Sequence, residues 1–153
     1  MVHTSVLQQQ WQTYSESAAS TGRTASPDDW AVARNVFVAD STSDARRIAK
    51  TNSLGSCIQY ILDLTQATAP DGIGIWKRDE QQSDGDCTLD YFMDDVIIAG
   101  DPEHVTGQLL QLREETGPFN TLVLTAHDWD DRDRWIHNLE LFTREVVPKF
   151  NSA

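Results

Sequence analysis

Val96-Ile97-Ile98-Ala99, then Gly100-Asp101-Pro102, then Thr121-Leu122-Val123-Leu124-Thr125: these pieces of the stretch from Asp94 to Asp131 decide the fold. The first is a short apolar run without helical period, which reads as a strand. Gly100-Asp101-Pro102 closes it with a turn, a helix N-cap and a residue whose φ is already set for a first helical position. Val105, Leu109 and Leu112 recur at steps of four and three, and Gly117-Pro118 stops that helix before the second apolar run. A helix-length crossover predicts that the two strands pair in parallel with their C-terminal ends on one side, where ligands sit in parallel α/β folds. The segment that leaves the second strand there is Ala126-His127-Asp128-Trp129-Asp130-Asp131.

Upstream, Leu7, Trp11, Tyr14 and Ala18 lie on one face of a helix stopped by Gly22, an apolar stripe expected to cover a sheet. Ser26-Pro27-Asp28-Asp29 is a turn. Trp30 to Ala39 is too β-branched and too continuous for a surface helix and reads as a strand apolar on both faces. Helices follow from Asp40 to about Gln66. The stretch 69–87 then loses all periodicity and is expected to be a long, mobile loop, with Thr88 to Met93 as a helical turn after it. Downstream of Asp131, Trp135, Leu139, Phe142 and Val146 mark the inner face of a last helix ended by Pro148. The order of elements is that of an α/β protein: a parallel sheet of about three strands with covering helices, in a single domain over 1–153.

The totals narrow the partners. Twelve basic against twenty-four acidic residues leave a formal charge of -12, which repels nucleic acid and anionic membrane surfaces. No apolar run approaches the ~20 residues of a membrane span. The N-terminus has neither the basic region nor the apolar core of a secretory signal. Cys57 and Cys87 stand in no metal or redox spacing, so two reduced thiols in a cytoplasm are expected.

Few residues carry chemistry. Asp128-Trp129-Asp130 starts like a calcium loop, but Arg132 and Asp133 stand where a ligand and a glycine turn are needed. Gly72-Ile73-Gly74 follows no strand and lacks the third glycine of a dinucleotide site. His127, at the end of a parallel strand with Asp128 beside it, is either a proton donor near neutral pH or a structural histidine that caps the final helix or bonds to a neighbouring turn. Arg34 and Asn35 stand out in an apolar strand. Arg34 is either structural, in an ion pair or at the edge of the sheet, or a site residue at a strand end. Trp129 either packs the last helix or stacks on a ligand, and His104, in a first helical turn, reads as structural.

Taken in order, Trp30-Ala-Val-Ala-Arg34 with Val36-Phe37-Val38-Ala39-Asp40, Ile98-Ala99-Gly100-Asp101-Pro102-Glu103, and Leu122 to Asp131 resemble the C-terminal part of flavin-dependent, luciferase-like monooxygenases. The resemblance spans nearly the whole chain and implies a partial TIM-barrel-like fold, about the last three strands of an eight-stranded (β/α) barrel. Where family members often carry an acidic residue after the strand arginine, this chain has Asn35. The resemblance also implies reduced FMN, molecular oxygen and an organic small molecule meeting at the C-terminal face. His127 and Arg34 would then be catalytic, and Asn35, Asp128 and Trp129 cofactor-binding. It implies further partners: a flavin reductase, and either further copies or another chain to complete the sheet. A non-catalytic barrel remnant and a repurposed small-molecule binder are the rival readings.

Overall fold

Residues 31–38 form the middle of the sheet. In the computed structural model, which describes residues 1–126 and 131–152, this line is two short strands, β1 (Ala31–Arg34) and β2 (Val36–Val38), separated at Asn35. Strand β3 is Ile98–Gly100 and β4 is Thr121–Leu124. β1 pairs with β4 and β2 pairs with β3, both in parallel. The carbonyls of Trp30 and Arg34 accept N–H groups from the β4 side, Asn120 at 3.3 Å and Thr125 at 2.9 Å. The carbonyl of Asn35 accepts from Ile98 at 3.1 Å, and the N–H of Ala39 donates to Gly100 at 3.1 Å. Even and odd positions of an extended chain point to opposite edges, so β4 and β3 flank opposite edges of the middle line. The crossover from β3 to β4 is parallel, as expected, but the two strands do not pair with each other. The chain's first strand lies between them.

The helices form where capping chemistry predicts. Asp101 accepts N–H groups from Glu103 and His104, and Pro102 opens α5 (Pro102–Thr116). Gly117 ends α5 at φ +93, where a Cβ would also meet the Trp11 ring at 2.9 Å. Ser41 caps α2 (Thr42–Thr51), Asn52 caps α3 (Ser53–Thr68) and Thr88 caps α4 (Leu89–Asp95).

Two cores result. One lies between β2, β3 and the helices α2, α3 and α4, around Phe37, Ala99, Ile58 and Phe92. Ile73 and Trp76, from the aperiodic stretch, are buried in it, and the Trp76 carbonyl accepts the Tyr91 hydroxyl at 2.6 Å. The other core gathers Val32, Val36, Val38, Val105, Leu109 and Val146 beneath α5 and the last helices. Helix α1 (Thr4–Ser20) packs mainly on α5 rather than covering the sheet directly.

The C-terminal helix departs from its expected phase. After α6 (Arg132–Leu141) the chain makes a π-helical stretch, Phe142–Val146, and continues as α7 (Val147–Ser152). Trp135, Asn138, Phe142 and Val146 are buried, whereas Leu139 is 36% exposed. Pro148 does not end the helix. It falls in the first turn after the π stretch, where a missing N–H costs little.

Candidate functional site

Alternation along β1 and β4 sorts their side chains onto two faces. Val32 and Leu122 point into the second core, while Ala31, Ala33, Thr121 and Val123 are exposed. This half of the sheet therefore has one open face, because α2, α3 and α4 cover only the half built from β2 and β3. Asn35 and Thr125 continue these positions at the C-terminal end of the strands, Thr125 exposed and Asn35 buried. The Thr125 hydroxyl donates to the Asn35 side-chain oxygen, and the Thr125 N–H donates to the Arg34 carbonyl at 2.9 Å. The Asn35 amide nitrogen also reaches the Met1 sulfur. These contacts hold the end of β4 against the break between β1 and β2, at the face where ligands of parallel folds bind.

Arg34 does not join this group. Neighbouring residues of a strand point to opposite faces, and the Arg34 guanidinium lies on the α1 and α5 side. Nη1 donates to the Val2 carbonyl at 3.2 Å and Nη2 donates to Thr4 Oγ1 at 3.3 Å. His127, Asp128 and Trp129 lie outside the described residues.

A second group at the C-terminal end of β2 was not legible in the sequence. Asp40, Asp44, Arg47, Arg134 and His137 line a cavity of about 230 Å³ over Phe37 and Ile48. His137 Nε2 stands 2.9 Å from Asp40, Arg47 pairs with Asp44, and Arg134 pairs with Asp131. Only β2 and α6 together bring Asp40 and His137 into contact, and no local spacing signals it.

No protein-family model matches the chain. It is 34% identical to 3,6-diketocamphane 1,6-monooxygenase of Pseudomonas putida over 94% of its own length and 38% of the relative's. It is 32% identical to 4-hydroxyprotoasukamycin monooxygenase of Streptomyces nodosus subsp. asukaensis, over 96% of this chain and 37% of that one. A solved structure of the oxygenating constituent of 3,6-diketocamphane monooxygenase from Pseudomonas putida, a type II Baeyer-Villiger monooxygenase in complex with FMN, superposes with a TM-score of 0.82. That match has 32% identity and covers 97% of this chain and 41% of that chain. The chain is homologous to the C-terminal part of the luciferase-like, flavin-dependent monooxygenases. It spans about two fifths of the length of these luciferase-like relatives. The partial barrel-like parallel sheet expected from the motifs is the luciferase-like fold observed.

The open face fits one part of FMN better than another. Ala31 and Ala33 are small, so a flat ring system could lie against them, with the Asn35 and Thr125 polar groups at one end. The two arginines lining the cavity at the end of β2 are each held by a carboxylate, which leaves them poorly placed to neutralise a phosphate. Both cysteines are free. Among the described residues, no helix is long and apolar enough to cross a membrane.

Proposed function

We propose that this chain forms one wall of a flavin-dependent monooxygenase site that acts on an organic small molecule. The observation that carries the reading is the 0.82 superposition on an FMN-bound monooxygenase at 32% identity. Bound reduced flavin supplies the electrons that activate molecular oxygen, and the protein's part is to orient the ring and exclude water. Asn35 and Thr125 bind the edge of the ring, Ala31 and Ala33 give its plane room, and His127 acts as proton donor with Asp128 and Trp129 beside it. A flavin reductase delivers the reduced cofactor, another polypeptide or further copies of this chain cover the open face, and the protein works in the cytoplasm. The carboxylate-bound arginines at the end of β2 favour a second reading, a non-catalytic subunit or scaffold that retains the fold without the cofactor.

Titration of the purified protein with oxidised and with reduced FMN separates the two. Under the first reading, flavin binds saturably, and Asn35→Ala, which also removes the contact with Thr125, weakens flavin binding by more than the loss of stability measured in flavin-free buffer accounts for. A protein that is colourless and binds neither form of the cofactor would leave the scaffold reading.

A further inference from the structure

The covered face of the sheet holds a polar cavity of about 310 Å³ beside α1 and α5, at the lower end of the ~300–1,000 Å³ of small-molecule sites. Arg34 lines it and is only 3% exposed. Its hydrogen bonds go to neutral groups, the carbonyls of Val2 and Ala33 and the Thr4 hydroxyl, and no carboxylate among the described residues pairs with it. A buried cation with neutral partners alone is costly, and burial pulls the Arg34 pKa down to about 10. A second, independent group in the same lining is also unfilled. Gln108 Oε1 is buried and has no hydrogen-bond partner among the described residues. Carboxylates complete the lining: Asp94 pairs with Arg46 and Asp95 with Arg78, while exposed Glu115 meets the Gln111 amide at 2.7 Å.

We propose that this cavity binds a small zwitterion of the amino-acid type, its carboxylate on the Arg34 guanidinium and its ammonium on Gln108 Oε1 and Glu115. The chemistry selects against simpler ions. A lone anion would meet the Glu115 carboxylate and a chain of formal charge -12, and a lone cation would meet buried Arg34. A molecule carrying both charges compensates the buried guanidinium and fills the unpaired acceptor while remaining neutral overall. Arg34 thus serves as an anion partner on the face of the sheet opposite the proposed flavin wall, and its ligand is independent of the flavin.

Calorimetric titration of the flavin-free protein tests this, with the standard L-amino acids, acetate and methylammonium as probes. At least one amino acid is expected to bind saturably, and acetate and methylammonium at least about tenfold more weakly, a difference of ~1.4 kcal/mol. Arg34→Met and Gln108→Leu should each weaken the amino acid by a similar factor; Gln108→Leu should do so without lowering the melting temperature, since it replaces an unpartnered buried acceptor by an apolar group, whereas Arg34→Met also gives up the hydrogen bonds to Val2, Ala33 and Thr4. Saturation by no amino acid, acetate binding as tight as the best amino acid, or unchanged binding in Gln108→Leu would each overturn the proposal. The Gln108 variant decides the matter if Arg34→Met fails to fold.

Discussion

The side-chain oxygen of Asn138 accepts the backbone N–H of Val38 at 2.7 Å, tying the last helix to the middle line of the sheet. Both residues are buried. β2 pairs with β3 through its odd positions, and β4 is too far back along the sheet to pair with Val38, so this N–H depends on a side chain. Asn138→Leu would leave it buried and unsatisfied, and the expected loss of stability is ~1–3 kcal/mol. Chemical denaturation measures it, and a loss below about 0.5 kcal/mol would show that water or another group replaces the amide.

Leu109 and Leu139 looked equivalent by periodicity but occupy different environments. Leu109 is fully buried in the second core, so Leu109→Ala is expected to cost ~2–5 kcal/mol. Leu139 is 36% exposed, and Leu139→Ala should cost roughly 1 kcal/mol or less. Equal shifts in paired denaturation curves would mean that Leu139 is as buried in solution as Leu109.

That difference marks how far the sequence was legible. The pieces with local punctuation were read closely: Asp101-Pro102 opens α5 and Gly117 closes it because cap and φ preferences act within a few residues. Strand order was misread, since the reach of β3 and β4 to opposite edges of one line depends on pairing across the chain. The π stretch and the passage of the helix through Pro148, which pack against α5, and the buried Asn138, which bonds to β2, likewise depend on contacts across the chain. Of the site, the C-terminal end of the strands was legible, but Arg34 and Asn35 were grouped together although a strand must separate neighbours onto two faces.

The pH dependence should carry a mark of His3, whose Nδ1 accepts the Ser5 N–H at 3.2 Å as the N-cap of α1. Burial lowers its pKa below 6.5, with Asp95 opposing and Arg34 assisting. The unfolded chain therefore binds the proton more readily, so stability rises with pH in this window and falls as pH drops below about 6.5 toward the folded-state value. Asp101, lowered by its hydrogen bonds to His104 and Thr42, acts in a separate window below 3.8. Urea denaturation at about pH 7.5 and 5.5 should show a loss for the natural protein that His3→Asn, a cap that does not titrate, reduces. Equal losses in both proteins would remove His3 as the cause.

The acid excess predicts a response to salt. At about 0.1 M salt charges interact over ~10 Å, whereas at 1 M they interact over ~3 Å, so added salt relieves the self-repulsion of a -12 chain. It also weakens pairs such as Arg47 with Asp44 and Arg134 with Asp131, but exposed pairs contribute little. The melting temperature should therefore rise from about 0.1 M to 1 M sodium chloride. A fall over that range would show that the ion pairs outweigh the net repulsion.

The open face of β1 and β4 bears on assembly. Ala31, Ala33, Thr121 and Val123 are exposed side by side, Val123 to 45%, and among the described residues no strand pairs with the outer edge of β4 or with the edge of β1 opposite it. Unpaired parallel edges next to exposed apolar positions favour association with another chain. The purified protein is thus expected to scatter light as a species heavier than 17.2 kDa. Val123→Lys places a charge in the middle of that face at a position that contributes little to the monomer's own core, so it should lower the mass while changing monomer stability by no more than about 0.5 kcal/mol. Dilution of both proteins with scattering and melting followed together completes the test. A folded natural protein of 17.2 kDa at every concentration would show that the open face needs no cover.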